Sequence, residues 1–169
     1  MSPVTETRII TKRMNQSDDN HNIDTYISLG GYEVAKRTLR MNPDEIVESV
    51  KTSGLRGRGG GGFPTGMKWS FLPPDSFPRY LVINADEGEP STFKDHMLLV
   101  RDPHQLIEGI ICSAFAIKSN TAFIYLRGEL ALAFDRLNTA LNQAKEKGLV
   151  GKNIDGSGFD LDIVIHRGA

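Results

Sequence analysis

The pattern that most constrains this chain is the alternation, over its second half, of short apolar runs with long amphipathic stretches. Tyr80–Asn84 (YLVIN) and Thr121–Leu126 (TAFIYL) are brief and rich in β-branched and aromatic residues, the signature of strands buried in a parallel sheet. Between them Leu106, Ile107, Ile110, Ile111, Ala114 and Phe115 recur at helical spacing behind Asp102-Pro103-His104-Gln105, which has the order of a capped helix start. After Arg127-Gly128, residues 129–147 place Leu130, Leu132, Ala133, Leu137 and Leu141 inward on one helix that Gly148 closes. A third strand is predicted over Asp160–His166, with Ile163 and Ile165 in phase. Strand–helix–strand–helix–strand implies an α/β fold: a Rossmann-like, mostly parallel sheet with flanking helices and right-handed crossovers. The sequence stops at Ala169 without a helix to cover the third strand. The sheet is therefore expected to be incomplete at its C-terminus, either because this is an edge strand or because the sequence is a fragment.

Upstream, residues 1–30 read as a flexible N-terminal arm, polar and rich in Ser, Asp, Asn and Thr; the α/β domain is placed over 31–169. A short helix is predicted from Tyr32 to about Arg40. A second runs over Pro43–Ser53, with Asn42 as N-cap, Glu45 at the capping-box position and Ile46, Val47 and Val50 as its apolar face.

Composition excludes several classes. Lys plus Arg number 20 against 21 Asp plus Glu, a net charge of −1, which argues against a nucleic-acid partner. No apolar run approaches the roughly 20 residues of a membrane helix, and the opening MSPVTETRIITKRMNQ lacks an export signal, so neither membrane insertion nor export is expected. Cys112 is the only cysteine and sits among isoleucines and alanines, which excludes an internal disulfide framework and predicts an inert thiol. His21, His96, His104 and His166 show no ligand spacing, so no metal site is expected.

Two segments carry chemistry. Glycines number 17, and seven of them fall between Gly54 and Gly66 in GLRGRGGGGFPTG. Gly57, Gly59, Gly60, Gly61 and Gly62 would let backbone N–H groups approach a ligand, and Arg56, Arg58 and Lys68 add positive charge, a combination suited to phosphate or pyrophosphate. A Walker A reading fails: Gly61 and Gly66 have the spacing, but Met67 occupies the lysine position and Trp69 follows Lys68. A dinucleotide fingerprint fails too, because this loop follows a helix rather than a strand. A ligand-free glycine loop is the alternative. The second segment, Asn84-Ala85-Asp86-Glu87-Gly88-Glu89, lies at the carboxyl end of the first strand, where open α/β sheets bind ligands. Its carboxylates suit ribose hydroxyls, a flavin N–H or Mg²⁺, or else form a solvated acidic turn. Phe63 reads as a stacking platform or as core, and Trp69 as core in preference to stacking. Phe71 lies beside them.

The blocks GLRGRGGGGFPTGMKW, NADEGEPSTFKD, DPHQLIEG, YLRGEL and HRGA, in this order from about residue 30 to the end, closely resemble the NADH-binding flavoprotein subunit of respiratory complex I, which in bacteria is the F subunit of NADH-quinone oxidoreductase. Related subunits occur in NAD-reducing hydrogenases and NAD-dependent formate dehydrogenases. The resemblance implies that residues 31–169 are the N-terminal part of an FMN/NADH-binding domain. Hydride would pass from NADH to FMN, and single electrons would then leave through iron–sulfur clusters toward quinone. It implies that Gly57, Arg58, Gly59, Gly60 and Lys68, with Gly61 and Gly62 in the same loop, hold FMN. Asn84, Asp86 and Glu87 would bond the flavin and its ribityl chain, and Phe63 and Phe71 would flank the adenine of NADH. Glu89, the one catalytic assignment, would touch the nicotinamide nucleotide. The implied partners are NADH and the other subunits of a complex I-like peripheral arm, including a thioredoxin-like 2Fe-2S subunit. The implied location is cytoplasmic, peripheral on the inner membrane through those subunits. Longer members carry a ubiquitin-like domain and a [4Fe–4S] cluster on four cysteines, which a chain with Cys112 alone cannot hold. The fragment by itself is therefore expected to be inactive; the alternatives are the flavoprotein subunit of one of those hydrogenases or formate dehydrogenases, or a non-catalytic fragment that binds a phosphate ligand or serves assembly. Gly61 stands where the family usually has alanine, Ser91 where it has glycine and His96 where it has arginine.

Overall fold

A computed structural model describes residues 7–168; residues 1–6 and 169 lie outside the described residues. Three strands, β1 (Tyr80–Ala85), β2 (Thr121–Leu126) and β3 (Asp162–Arg167), form a parallel sheet in the order β1-β2-β3. Tyr80 lies opposite Thr121 and Thr121 opposite Asp162, so the three carboxyl ends are flush at Ala85, Leu126 and Arg167. The crossovers are α6 (Pro103–Ala116) and α7 (Ala131–Glu146), and both pack against the sheet. Gly148, at φ +69°, closes α7, and Leu149 N–H donates to the Ala144 carbonyl, the pattern of a left-handed helix cap. The expected α/β class, a parallel sheet with flanking helices, is therefore present.

Contrary to the expectation of strands buried on both faces, one face of the sheet is open. Ala122, Ile124, Leu126 and Ile163 point into the helices and are fully or almost fully buried, whereas Tyr80, Val82, Tyr125 and Val164 on the opposite face are exposed. An apolar run reads the same whether one face or two is covered, so periodicity could not separate the cases. Leu132 of α7 also departs from its inward placement and is exposed, because the helix begins at Ala131 and its inward stripe runs through Ala133, Leu137, Ala140, Leu141 and Ala144.

Preceding the sheet are α1 (Ile23–Ser28), α2 (Glu33–Thr38), α3 (Pro43–Thr52) and α4 (Thr65–Ser70). Helix α3 has the capping box read from Asn42 and Glu45. Helix α6 is covered on both sides, by β1 and β2 on one and by α2 and α3 on the other. That is why it is apolar nearly all round.

The flexible arm expected over residues 1–30 is corrected from about residue 13 onward. Asn20, Tyr26 and Tyr32 are fully buried, and Met14 and Ile23 nearly so. The reason lies far along the chain. Tyr26 Oη donates to Glu108 Oε2 at 2.5 Å, Glu108 Oε1 accepts from the Val34 and Ala35 amides, and Tyr32 Oη pairs with His104 Nδ1 at 2.8 Å. Burial of two such rings stabilises by about 2–3 kcal/mol each, and their hydroxyls are hydrogen-bonded as burial requires. Arg101 adds bonds to the Met14 carbonyl and to Asp18.

A further helix, α5 (Lys94–Arg101), directly precedes α6 and was not expected. Asp102 joins the two. Its amide donates to the Leu98 carbonyl, closing α5, and its carboxylate makes no capping bond to α6, contrary to the capping pattern read from Asp102-Pro103-His104-Gln105. Buried at this corner, the Asp102 carboxyl is pushed up to about 6, partly offset by the Arg13 guanidinium.

Candidate functional site

The carboxyl end of β1 meets the glycine-rich loop in one cleft of about 660 Å³, lined on one side by Arg58, Gly59 and Gly60 and on the other by Asn84, Asp86, Glu87, Gly88 and Glu89. That volume lies within the range of small-molecule and cofactor sites, roughly 300–1,000 Å³. Thr92, Lys94 and Asp95 complete the lining. Sequence reasoning did not single these out, because without α5 nothing turned them toward the cleft.

The glycine loop has a closed neck and an open tip. Gly57 N–H donates to the Phe63 carbonyl at 2.9 Å, Thr65 N–H to the Leu55 carbonyl at 2.8 Å, and the Arg56 guanidinium to the Gly62 carbonyl at 3.2 Å. At the tip, Gly60 and Gly62 have φ of +106° and +58°, a backbone that favours glycine. Gly59 and Gly61 have no such φ, and a Cβ built on either meets nothing within 4 Å. Neither the packing of the fold nor its backbone geometry therefore requires glycine at these two positions.

The acidic loop is shaped by its own bonds. Asn84 Oδ1 accepts from the Asp86 amide at 3.0 Å, turning the chain as it leaves β1. Glu87 has φ +44°, and its two carboxylate oxygens accept from the Asp95 and His96 amides at 2.7 and 2.8 Å. It thus caps the N-terminus of α5, which lacks a capping bond from Phe93, its own N-cap residue. Thr92 Oγ1 donates to the Glu89 carbonyl at 2.7 Å, leaving the Glu89 side chain exposed. Ser91 has φ +66°, a left-handed backbone on a residue that is not glycine.

Six of the expected cofactor-binding residues do not line this cleft: Gly57, Gly61, Gly62, Phe63, Lys68 and Phe71. Gly57 and Phe63 are the loop's neck, and Lys68 is exposed on α4. Phe63 and Phe71 lean on each other, with ring centroids 6.0 Å apart at 55°, and both are exposed. At that separation the rings are already partners, so a base would stack on the outer surface of the pair and not between them. Among the described residues no group of three or more His, Cys, Asp and Glu could hold a metal ion.

The chain matches the model of the Nuo51 FMN-binding domain over residues 50–169. It belongs to that family. It is 54% identical to the F subunit of NADH-quinone oxidoreductase from Aquifex aeolicus over 149 residues, covering 88% of this chain and 35% of that protein. To the corresponding Escherichia coli protein it is 48% identical over 167 residues, covering 97% of this chain and 38% of that one. Among solved structures it is similar to a chain of the NAD⁺-reducing [NiFe]-hydrogenase in the H2-reduced state, with a TM-score of 0.64 and 40% identity over 80% of this chain and 24% of that chain. The chain thus spans little more than a third of the length of these two oxidoreductase relatives.

Proposed function

We propose that this Nuo51-family chain binds FMN and NAD(H) as part of an NADH dehydrogenase flavoprotein subunit of the NADH:quinone oxidoreductase type. One observation carries the reading: the tip of a glycine loop and an acidic loop share one cleft at the carboxyl end of β1, and glycine at 59 and 61 is not required by the fold. FMN fits these residues. The bare backbone of Gly59 and Gly60, with Gly61 next to them in the same tip, admits a phosphate close to its N–H groups, Arg58 balances the charge, and Asn84 and Asp86 face the cleft with groups suited to a ribityl chain or a ring N–H. Gly57 closes the loop's neck, Gly62 shapes its tip, and Lys68 adds positive charge from α4. Glu89, exposed at the cleft's rim, is suited to a nicotinamide-nucleotide hydroxyl or amide, and the outer surface of Phe63 and Phe71 to adenine. Bound FMN supplies the conversion of a hydride into single-electron steps; the chain's residues bind and align.

The similarity to the NAD⁺-reducing hydrogenase supports a second parent assembly, with the same cleft serving hydrogenase-linked NAD(H) chemistry. A complex I-like assembly would bring further subunits, including a thioredoxin-like 2Fe-2S partner, and would hold the chain at the cytoplasmic face of the inner membrane through them. Among the described residues no helix is long and apolar enough to cross a membrane. Delivery of electrons to quinone is expected to require those partners and the remaining length seen in the relatives, including its [4Fe–4S] cluster.

The test is to incubate the purified chain with FMN, remove unbound flavin, and add NADH without oxygen. Retained flavin absorbance that NADH bleaches is expected once the chain is joined to the remaining sequence of the Aquifex relative, and flavin retention alone from the unextended chain. Absence of retained flavin, both in this chain and in one joined to the remaining sequence of the Aquifex relative, would overturn the proposal.

A further inference from the structure

The acidic loop has two anchors, and the second lies 40 residues away. Arg127 opens the connection out of β2, directly after Leu126. Its Nη1 donates to the Glu87 carbonyl at 3.3 Å, its Nε to Glu129 Oε2 at 3.1 Å, and its own amide to the Ala85 carbonyl at 3.3 Å. The turn that presents it is tightly built. The Gly168 amide donates to the Leu126 carbonyl at 2.7 Å, and the Arg167 guanidinium to the Gly128 carbonyl. A Cβ on Gly128 would stand 2.4 Å from the Gly168 carbonyl oxygen, so only glycine lets the ends of β2 and β3 approach this closely. Arg127 does not line the cleft.

We infer that Arg127 is a positioning residue: by holding the Glu87 carbonyl from the sheet side, while α5 holds the Glu87 carboxylate, it sets the shape of the loop that carries Asp86 and Glu89. This deepens the proposed flavin and nucleotide site and rests on that reading. Carbonyl and carboxylate of one left-handed residue are held by two separate parts of the chain, so release of either lets the segment around Glu87 relax. A charge-assisted bond to a backbone carbonyl on a half-exposed arginine corresponds to about a tenfold effect on the ligand that the loop receives.

The test uses the full ¹⁵N-labelled chain, with wild type, Arg127→Met, Arg127→Lys and Glu129→Gln compared. Without flavin, Arg127→Met is expected to move the Glu87, Gly88, Asp95 and His96 amide signals and to leave the β3 amides in place. Arg127→Lys restores part of the wild-type pattern, and Glu129→Gln, which removes only the ion pair, leaves the loop signals unmoved. With FMN and NADH titrated in, Arg127→Met weakens binding about tenfold and Arg127→Lys less. Weakened binding without loop shifts would mean that Arg127 touches the ligand, and loop shifts without weakened binding would mean that it positions nothing; either overturns the inference. Should Arg127→Met fail to fold, Arg127→Lys decides by the same two readouts. A wild-type chain that takes up no flavin defeats the functional reading instead, and the flavin-free shifts then decide alone whether Arg127 shapes the loop.

Discussion

The two walls of the cleft are built in opposite ways. The glycine wall is fastened at its neck by backbone bonds, and its tip at Gly59–Gly61 has no side chains to occupy the space before it. The acidic wall is braced along its length, by the Asn84 turn, by the bond from Thr92 to the Glu89 carbonyl and by the capping of α5 through Glu87. One wall is shaped by leaving atoms out, the other by tying side chains down. Substitutions should therefore separate ligand binding from stability on the first wall and couple them on the second.

The largest expected effect breaks the glycine wall. Gly59→Val puts a branched side chain where the structure has open space, so the fold should keep its Tm within about a degree. A ligand phosphate would lose its approach, and flavin affinity should fall by about a thousandfold, roughly 4 kcal/mol. Parallel thermal melts and flavin titrations check this, and a large drop in Tm would show that the fold itself needed the glycine.

Acidification tests the corner on which the acidic wall hangs. Buried Asp102 is pushed up to about 6 from 3.8, and buried His104 is held down at about 4 from 6.5. The raised carboxyl contributes stability that is present below pH 3.8 and lost as pH rises through about 6. The depressed imidazole contributes stability that is present above pH 6.5 and lost as pH falls through about 4. In the wild-type chain the two oppose each other across the same window. Asp102→Asn removes the carboxyl's contribution and leaves that of His104 unopposed, so as pH falls from about 6 to 3.8 the variant should lose about 3 kcal/mol relative to wild type, measured by urea unfolding at a series of pH values.

Glu87→Ala removes the cap of α5. Stability should fall by about 2 kcal/mol and flavin affinity should fall with it; unchanged stability would contradict the coupling claimed for this wall. The smallest effect sharpens the comparison in the other direction. Ser91→Gly relieves a left-handed non-glycine residue in the acidic loop and should stabilise by about 1 kcal/mol, raising Tm by a few degrees in a scanning melt.

The division between what could be read in the sequence and what could not follows sequence distance. The strands, the α3 capping box and the glycine loop rest on neighbouring residues, so Asn42 with Glu45, or YLVIN alone, were enough. The N-terminal segment was misread because its burial depends on partners that composition does not reveal: Tyr26 meets Glu108, 82 positions on, and Tyr32 meets His104, 72 positions on. Helix α5 was missed because Phe93 gives no N-cap signal and the cap comes from Glu87, 8 residues before Asp95. The same omission hid Thr92, Lys94 and Asp95 from the cleft. Arg127 was legible only as the end of a strand, since its reach to Glu87 exists only once β1 and β2 lie side by side.

The central claim is that the two walls receive one ligand together. The direct measurement is an FMN titration of the ¹⁵N-labelled chain followed amide by amide. Signals of Gly59, Gly60 and Gly61 and signals of Asp86, Glu87 and Gly88 are expected to shift along one common binding curve. Shifts confined to a single wall, or centred on the exposed sheet face at Val82 and Tyr125, would contradict it.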